Sequence, residues 1–274
     1  MKFFELEGLS KSFISLVFII KIIAGIILYF IYSYYYKERN SADIFKYFDD
    51  SKVMFNALLN QPLDYVKMIF SFGNDNPYFE DKYYKVMNNW YRVYESNIYN
   101  DSHTIIRFNA LVRIFSFGYY NVHTVFMSFI SLTGITALYK FLHPYFQTKL
   151  KEITFAVFLI PSVVLWTSGV LKEGLLIFGL GMLLYYLNTV FSRKLSLIAV
   201  FWVFFSFVLL FYTKFYILIC IIPLLISYYW VRFSGEKFIA LKYLVVILLY
   251  FIIGLNIHHI FPNYKVLDYC FKAT

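Results

Sequence analysis

The chain has 274 residues, of which 61% are hydrophobic and only 15% charged, with a formal net charge of +9 and a mean hydropathy of +0.63. Ordinary globular domains are nearer half apolar and a quarter charged, whereas here long Ile/Leu/Val runs are joined by 33 Phe and 27 Tyr. A soluble enzyme, a disordered chain and a disulfide-stapled secreted module are excluded, which leaves a polytopic, all-α membrane protein.

The positive charge does not mark a nucleic-acid partner. The 25 basic residues are spread along the chain, mostly at the ends of apolar spans, where Lys and Arg hold cytoplasmic loops in place. Cys220, inside an apolar run, and Cys270, near the C-terminus, form neither a metal spacing nor a disulfide framework.

In chain order, residues 13–36 form the first apolar run, interrupted only by Lys21. It lacks the short core and small-residue cleavage site of a signal peptide. A retained first helix is therefore expected, with Lys21 snorkelling toward the cytoplasmic side. Further apolar spans fall at 121–142, 153–168, 174–191, 196–212, 215–231 and 239–256. With the N-terminus inside, the pairs Lys149/Lys151, Arg193/Lys194 and Arg232/Lys237 are cytoplasmic, while the short outer connections hold Lys172 and Lys214. That satisfies the positive-inside rule. The expectation is one membrane domain over residues 1–274, with about seven transmembrane helices, N-in and C-out, in the cell (inner) membrane.

Residues 37–120 form the long first external loop, and residues 37–110 within it hold ten of the sixteen acidic residues. A loop of this length in a compact protein is seldom structureless. Three helices are expected in it: 43–59, stopped by Gln61-Pro62; 80–95, aromatic enough to lie at the headgroup level; and about 104–117. On the first, Asp43, Tyr47 and Asp50 share a face at i, i+4, i+7. Asp43 also sits at the positive end of the helix dipole. Lys172 and Glu173 follow a short span and are expected below the outer surface, in a protein-lined or wet cavity. Lys214 is the sole charge between two apolar spans, and Arg107 offers a fork to phosphate. His258 and His259 read as interfacial. The cytoplasmic side holds only Glu5, Glu7, Glu152 and Glu236 as loop acids, with no Gly-rich phosphate loop. Chemistry, if there is any, belongs outside.

This layout resembles the GT-C glycosyltransferases, polytopic enzymes that use polyprenyl-phosphate-linked sugars. The resemblance rests on the acidic segment 42–50 after the first helix, the long helical loop 37–120, and the outer turn after a Pro-containing span, 161–173. It covers about residues 13–230. Family members usually have more than seven helices, so a short or incomplete member is expected. What it implies is inverting transfer of a sugar, from a polyprenyl-phosphate donor to a glycan, lipid or protein acceptor, at the outer face among membrane lipid. Asp43 would be the general base, with Asp50 second. Tyr47, Arg107, Lys172, Glu173 and Lys214 would bind substrate, with a cation or a divalent metal ion meeting the developing phosphate charge. A polysaccharide polymerase or exporter is the alternative, though few loop arginines stand against ten acids. A transporter is a third reading, without an internal repeat to support it.

Overall fold

The computed structural model describes residues 2–91, 99–192 and 196–256. Two compact units divide the chain, Met1–Lys214 and Phe215–Thr274. Among the described residues every regular element is helical. Four helices there are long and apolar enough to cross a membrane, as expected of an all-α membrane bundle.

In the first unit α1 runs Lys11–Tyr35, its start capped by Ser10, whose Oγ accepts from the Phe13 N–H at 3.1 Å. Lys21 does not snorkel. It is fully buried and donates from Nζ to Thr167 Oγ1 at 2.6 Å. The reason is its face: Val17, Ala24, Gly25 and Leu28, at i−4, i+3, i+4 and i+7, all turn inward and take Lys21 with them. The residue also lies about 15 Å along the helix from its start, too deep to escape by extending its stem.

The loop after α1 holds α2 (Asp43–Asn60), α3 (Pro62–Phe70), α4 (Pro77–Lys82) and α5 (Ser102–Ser116). Pro62 ends α2 but also opens α3, since its missing N–H costs nothing at the first helical position. The expected helix over 80–95 is not formed through 83–91: after α4 the chain makes one 3-10 turn, Tyr84–Val86, and then bends. Residues 92–95, with Arg92, Tyr94 and Glu95, lie outside the described residues. Most of the described aromatic side chains in this stretch turn inward. Tyr65, Phe79, Tyr83, Tyr84 and Trp90 are buried in one core with Ile44, Met54, Ile105 and Ile106. This core continues into Leu28, Met127 and Leu175 of the spanning helices, so loop and bundle share it.

Asp64 locks the middle of this loop. It accepts from the hydroxyls of Tyr78 and Tyr83, each at 2.8 Å, and pairs with Lys82 at 3.3 Å. Burial pushes its pKa up, but those three donors outweigh burial and leave it below the ordinary 3.8. The stability it supplies is therefore complete above pH 3.8 and is lost as pH falls through the lower folded-state value. Asp64→Asn is expected to lower the melting temperature at pH 6, with the gap to wild type closing on acidification below pH 4. Parallel melting curves at all pH values would contradict this.

Helix α6 (Tyr120–Leu142) and α9 (Lys172–Ser192) form the tightest pair in the unit. Gly134 and Gly181 meet there: a Cβ on Gly181 would collide with the Gly134 carbonyl, and one on Gly134 with the backbone of Ile177 and Phe178. Small residues permit this approach where lipid supplies no hydrophobic drive. The span expected at 153–168 is broken into α7 (Leu150–Thr154), a π-helical turn Phe155–Leu159 and α8 (Pro161–Trp166). Pro161 cannot donate to the preceding turn, so Ile160 leaves the helix at ψ 118. Such backbone at membrane depth must be sheltered by protein, and Val157 and Phe158 are buried against Tyr139 and Val17.

Helix α10 (Leu197–Ser234) joins the two spans expected at 196–212 and 215–231 in one run, interrupted at Lys214 (φ −151, ψ 82). The second unit contains the remainder of α10 and α11 (Ile239–Leu255), joined through Gly235 and Phe238, both in the left-handed region. Lys242 closes that turn by donating to Ser234 Oγ and the Gly235 carbonyl. Arg193, Lys194, His258 and His259 lie outside the described residues.

Candidate functional site

At one end of the first unit the structure brings most of the charged candidates together. The turn between α8 and α9 is pinned from below: Val170 and Leu171 are buried, and Gly25 and Gly169 let α1 close against it. Lys172 and Glu173 then emerge as the first two residues of α9. Lys172 Nζ lies 2.9 Å from Asp101 and 5.4 Å above the ring of Tyr47. Lys214 Nζ lies 3.2 Å from Glu173, and its break in α10 turns the side chain toward α9. Asp43 stands one helical turn before Tyr47, 3.8 Å from Lys46. Three carboxylates, each paired with an ammonium group, thus lie near one phenol. Burial pushes the Tyr47 hydroxyl well above its ordinary value, and the charge of Asp43 pushes it further against a bond to Ser102, with Asp101 and Glu173 adding to the rise.

The acidic residues divide by how committed they are. Within the cluster Asp43 is the most exposed, with its side chain 56% exposed against 31% for Asp101 and 33% for Glu173, and with one distant lysine partner. Asp50 is 1% exposed and accepts from the backbone N–H groups of Asn88 and Asn89 and from the Asn88 amide, at 2.7, 2.8 and 3.1 Å. Burial raises its pKa and these three donors oppose the rise. Asp50 therefore anchors the 88–89 bend, and the structure does not bring it to the lysines. Asp49 is held bidentately by Arg39, and Asp81 by Lys85. Asp101 is the residue that sequence reasoning missed. Its only signal is its place at the head of a helix, in Asp101-Ser102-His103-Thr104.

Arg107 does not join this cluster. It points to the other side of α5, giving Nε to the Met68 carbonyl at 2.8 Å, Nη1 to Tyr99 Oη at 2.7 Å and Nη2 to Ser71 Oγ at 3.1 Å. Arg113, two turns on, is buried against Phe48 and ties α2 to α5 through Ser51 Oγ and the Phe48 carbonyl. Burial lowers its pKa to about 10.

A second constellation has the spacing of a nucleophile, base and orienting group. Ser116 Oγ is 2.7 Å from His123 Nε2, and His123 Nδ1 is 2.8 Å from Asn109 Oδ1. Asn109 spends its amide N–H on the Ile105 carbonyl, so Oδ1 accepts and His123 carries its proton on Nδ1. All three side chains are sealed, at most 1% exposed, so the network braces the α5–α6 elbow and meets no substrate.

No three His, Cys, Asp or Glu side chains converge as metal ligands among the described residues. The donor set near Lys172 is half ammonium, which does not fit a divalent ion. No family model, curated protein or solved structure matches the chain.

Proposed function

We propose that the protein is a multi-pass glycosyltransferase of the cell (inner) membrane, working at the outer face with a polyprenyl-phosphate-linked sugar as donor. The observation that carries this reading is the gathering of Asp43, Tyr47, Asp101, Lys172, Glu173 and Lys214 at one end of the bundle. The seven-span, N-in topology belongs to the same reading and puts that end outside. Asp43 takes the proton of an acceptor hydroxyl on a glycan, lipid or protein. The oxygen attacks the anomeric carbon, the bond from that carbon to the phosphate oxygen breaks, and the polyprenyl phosphate leaves with the electron pair. Base catalysis of this kind contributes about 10²–10⁴-fold. Lys172 and Lys214, each facing a carboxylate, hold the cluster in shape.

The experiment is donor discrimination by the purified full chain in vesicles. Label is expected to pass to acceptor from a polyprenyl-phosphate sugar and not from the matching nucleotide sugar. Transfer from the nucleotide sugar alone, or from neither while the protein is folded, would sink the reading.

A further inference from the structure

An apolar groove and a polar pocket meet at Arg107. The groove, about 710 Å³, runs between α5 and the spanning helices α6, α9 and α10, walled by Leu111, Ile130, Phe178, Trp202, Phe205 and Leu209. The pocket, about 520 Å³, lies in the outer loop and presents Asn74, Asp75, Glu80, Tyr84, Tyr91 and His103. Ser71, Tyr99 and Arg107 line both. The two together have the profile of an amphiphile: a long apolar part, one anion and a polar head.

Charge decides where the anion goes. Lys172 and Lys214 face carboxylates at 2.9 and 3.2 Å. Arg107 donates to a carbonyl and two hydroxyls and stacks over Trp90 at 5.3 Å, so its charge is not cancelled by any carboxylate in contact with it. Ser71 and Tyr99 bring two hydroxyl groups to the same point. A guanidinium with hydroxyls beside it matches a phosphate, which accepts from a planar fork.

The head group is set by the pocket. Its floor is the stack Tyr84–Trp90–His103, with centroid spacings of 4.3 and 3.7 Å. Tyr91 stands half exposed beside Asp75 and Glu80. Neutral hydroxyl-rich rings suit an aromatic face with flanking carboxylates, whereas the small head of a bulk phospholipid would leave most of the space unfilled.

We infer that Arg107 is the anion anchor of a binding site for a long-chain lipid phosphate carrying a saccharide, with the chain in the α5/α6/α9/α10 groove and the sugar in the Asp75/Glu80/Tyr91 pocket. This deepens the transferase reading by moving the phosphate from the lysines to Arg107, and it does not depend on which carboxylate acts. Along α5, Arg107 lies six residues from Asp101, about 9 Å of helix.

The test is equilibrium binding to the purified full chain in nanodiscs, without turnover. The probes are a polyprenyl phosphate, its monosaccharide conjugate, the free polyprenol and phosphatidylglycerol. Wild type is expected to bind the two polyprenyl phosphates at least tenfold tighter than polyprenol or phosphatidylglycerol. Arg107→Gln should erase the preference for phosphate, and Leu111→Trp, filling the exposed lip of the groove, should weaken both phosphates tenfold. Tyr91→Ala should weaken the conjugate and spare the bare phosphate. Equal binding of phosphate and polyprenol, or no effect of Arg107→Gln and Leu111→Trp in folded protein, would overturn the site. Equal binding of phosphatidylglycerol would reduce it to an ordinary lipid contact and overturn the saccharide assignment. Failure of transfer with these binding results intact would fall on the transferase reading alone.

Discussion

Gly181→Val is expected to destabilise the membrane domain by at least about 3 kcal/mol, the upper end of ordinary overpacking. Any Cβ at 181 meets the Gly134 carbonyl of α6 and not a side chain that can rotate away. Relief therefore requires two helix backbones to separate. Separation would also open the contacts around Gly174, where Met127 Sδ and the Thr167 carbonyl close on the start of α9. Lys172 and Glu173 lie in that same first turn, so the charged cluster should loosen together with the helix pair. Thermal unfolding in detergent measures the effect. Gly254→Ala is the matched control, since nothing lies within 4 Å of its added methyl, and it should be neutral or slightly stabilising. Equal melting temperatures for Gly181→Val and wild type would show that this helix crossing is not where the fold is held.

The buried contact between Lys21 and Thr167 belongs to the same frame. A lysine in the middle of a spanning helix is costly unless protein surrounds it. Here it donates to the last turn before the Lys172–Glu173 segment, so α1 steadies that segment from inside the bundle.

What the sequence made legible follows the physics of each signal. Helix α2 was expected over 43–59 and spans Asp43–Asn60, because an Asp in the first turn and a Pro beyond the end are local and strong. Helix α3 was hidden because the same proline both stops one helix and starts the next. The aromatic stretch after Glu80 has helical spacing, but Tyr83 and the 88–89 backbone are claimed by Asp64 and Asp50, far away in sequence. Periodicity names a helix face and cannot say what packs on it. For that reason Asp43, Tyr47 and Asp50 were grouped, although Asp50 is sealed under Asn88 and Asn89. Lys172, Glu173 and Lys214 were legible because a charge isolated among apolar spans must be accommodated by something. Asp101, one acid among ten in its loop, carried no such contrast. For Lys21 snorkelling is the cheaper fate, and only the inward turn of its helix face rules it out.

Asp43 is the carboxylate on which the functional account rests, and the contrast with Asp50 isolates it. Both lie on α2, Asp43 as its first residue and Asp50 about two turns further on, yet one is open beside the lysine cluster and the other is bonded to backbone. Asp43→Asn keeps the shape and removes the basic oxygen pair. Asp50→Asn replaces an acceptor facing three donors and should cost stability without touching the chemistry. The decisive measurement is the turnover number for sugar transfer from a polyprenyl-phosphate donor, per folded molecule, in these two variants. The account predicts a loss of about 10²–10⁴-fold for Asp43→Asn, with Asp50→Asn remaining within a few-fold of wild type. Full turnover in Asp43→Asn, or equal losses in both, would contradict it.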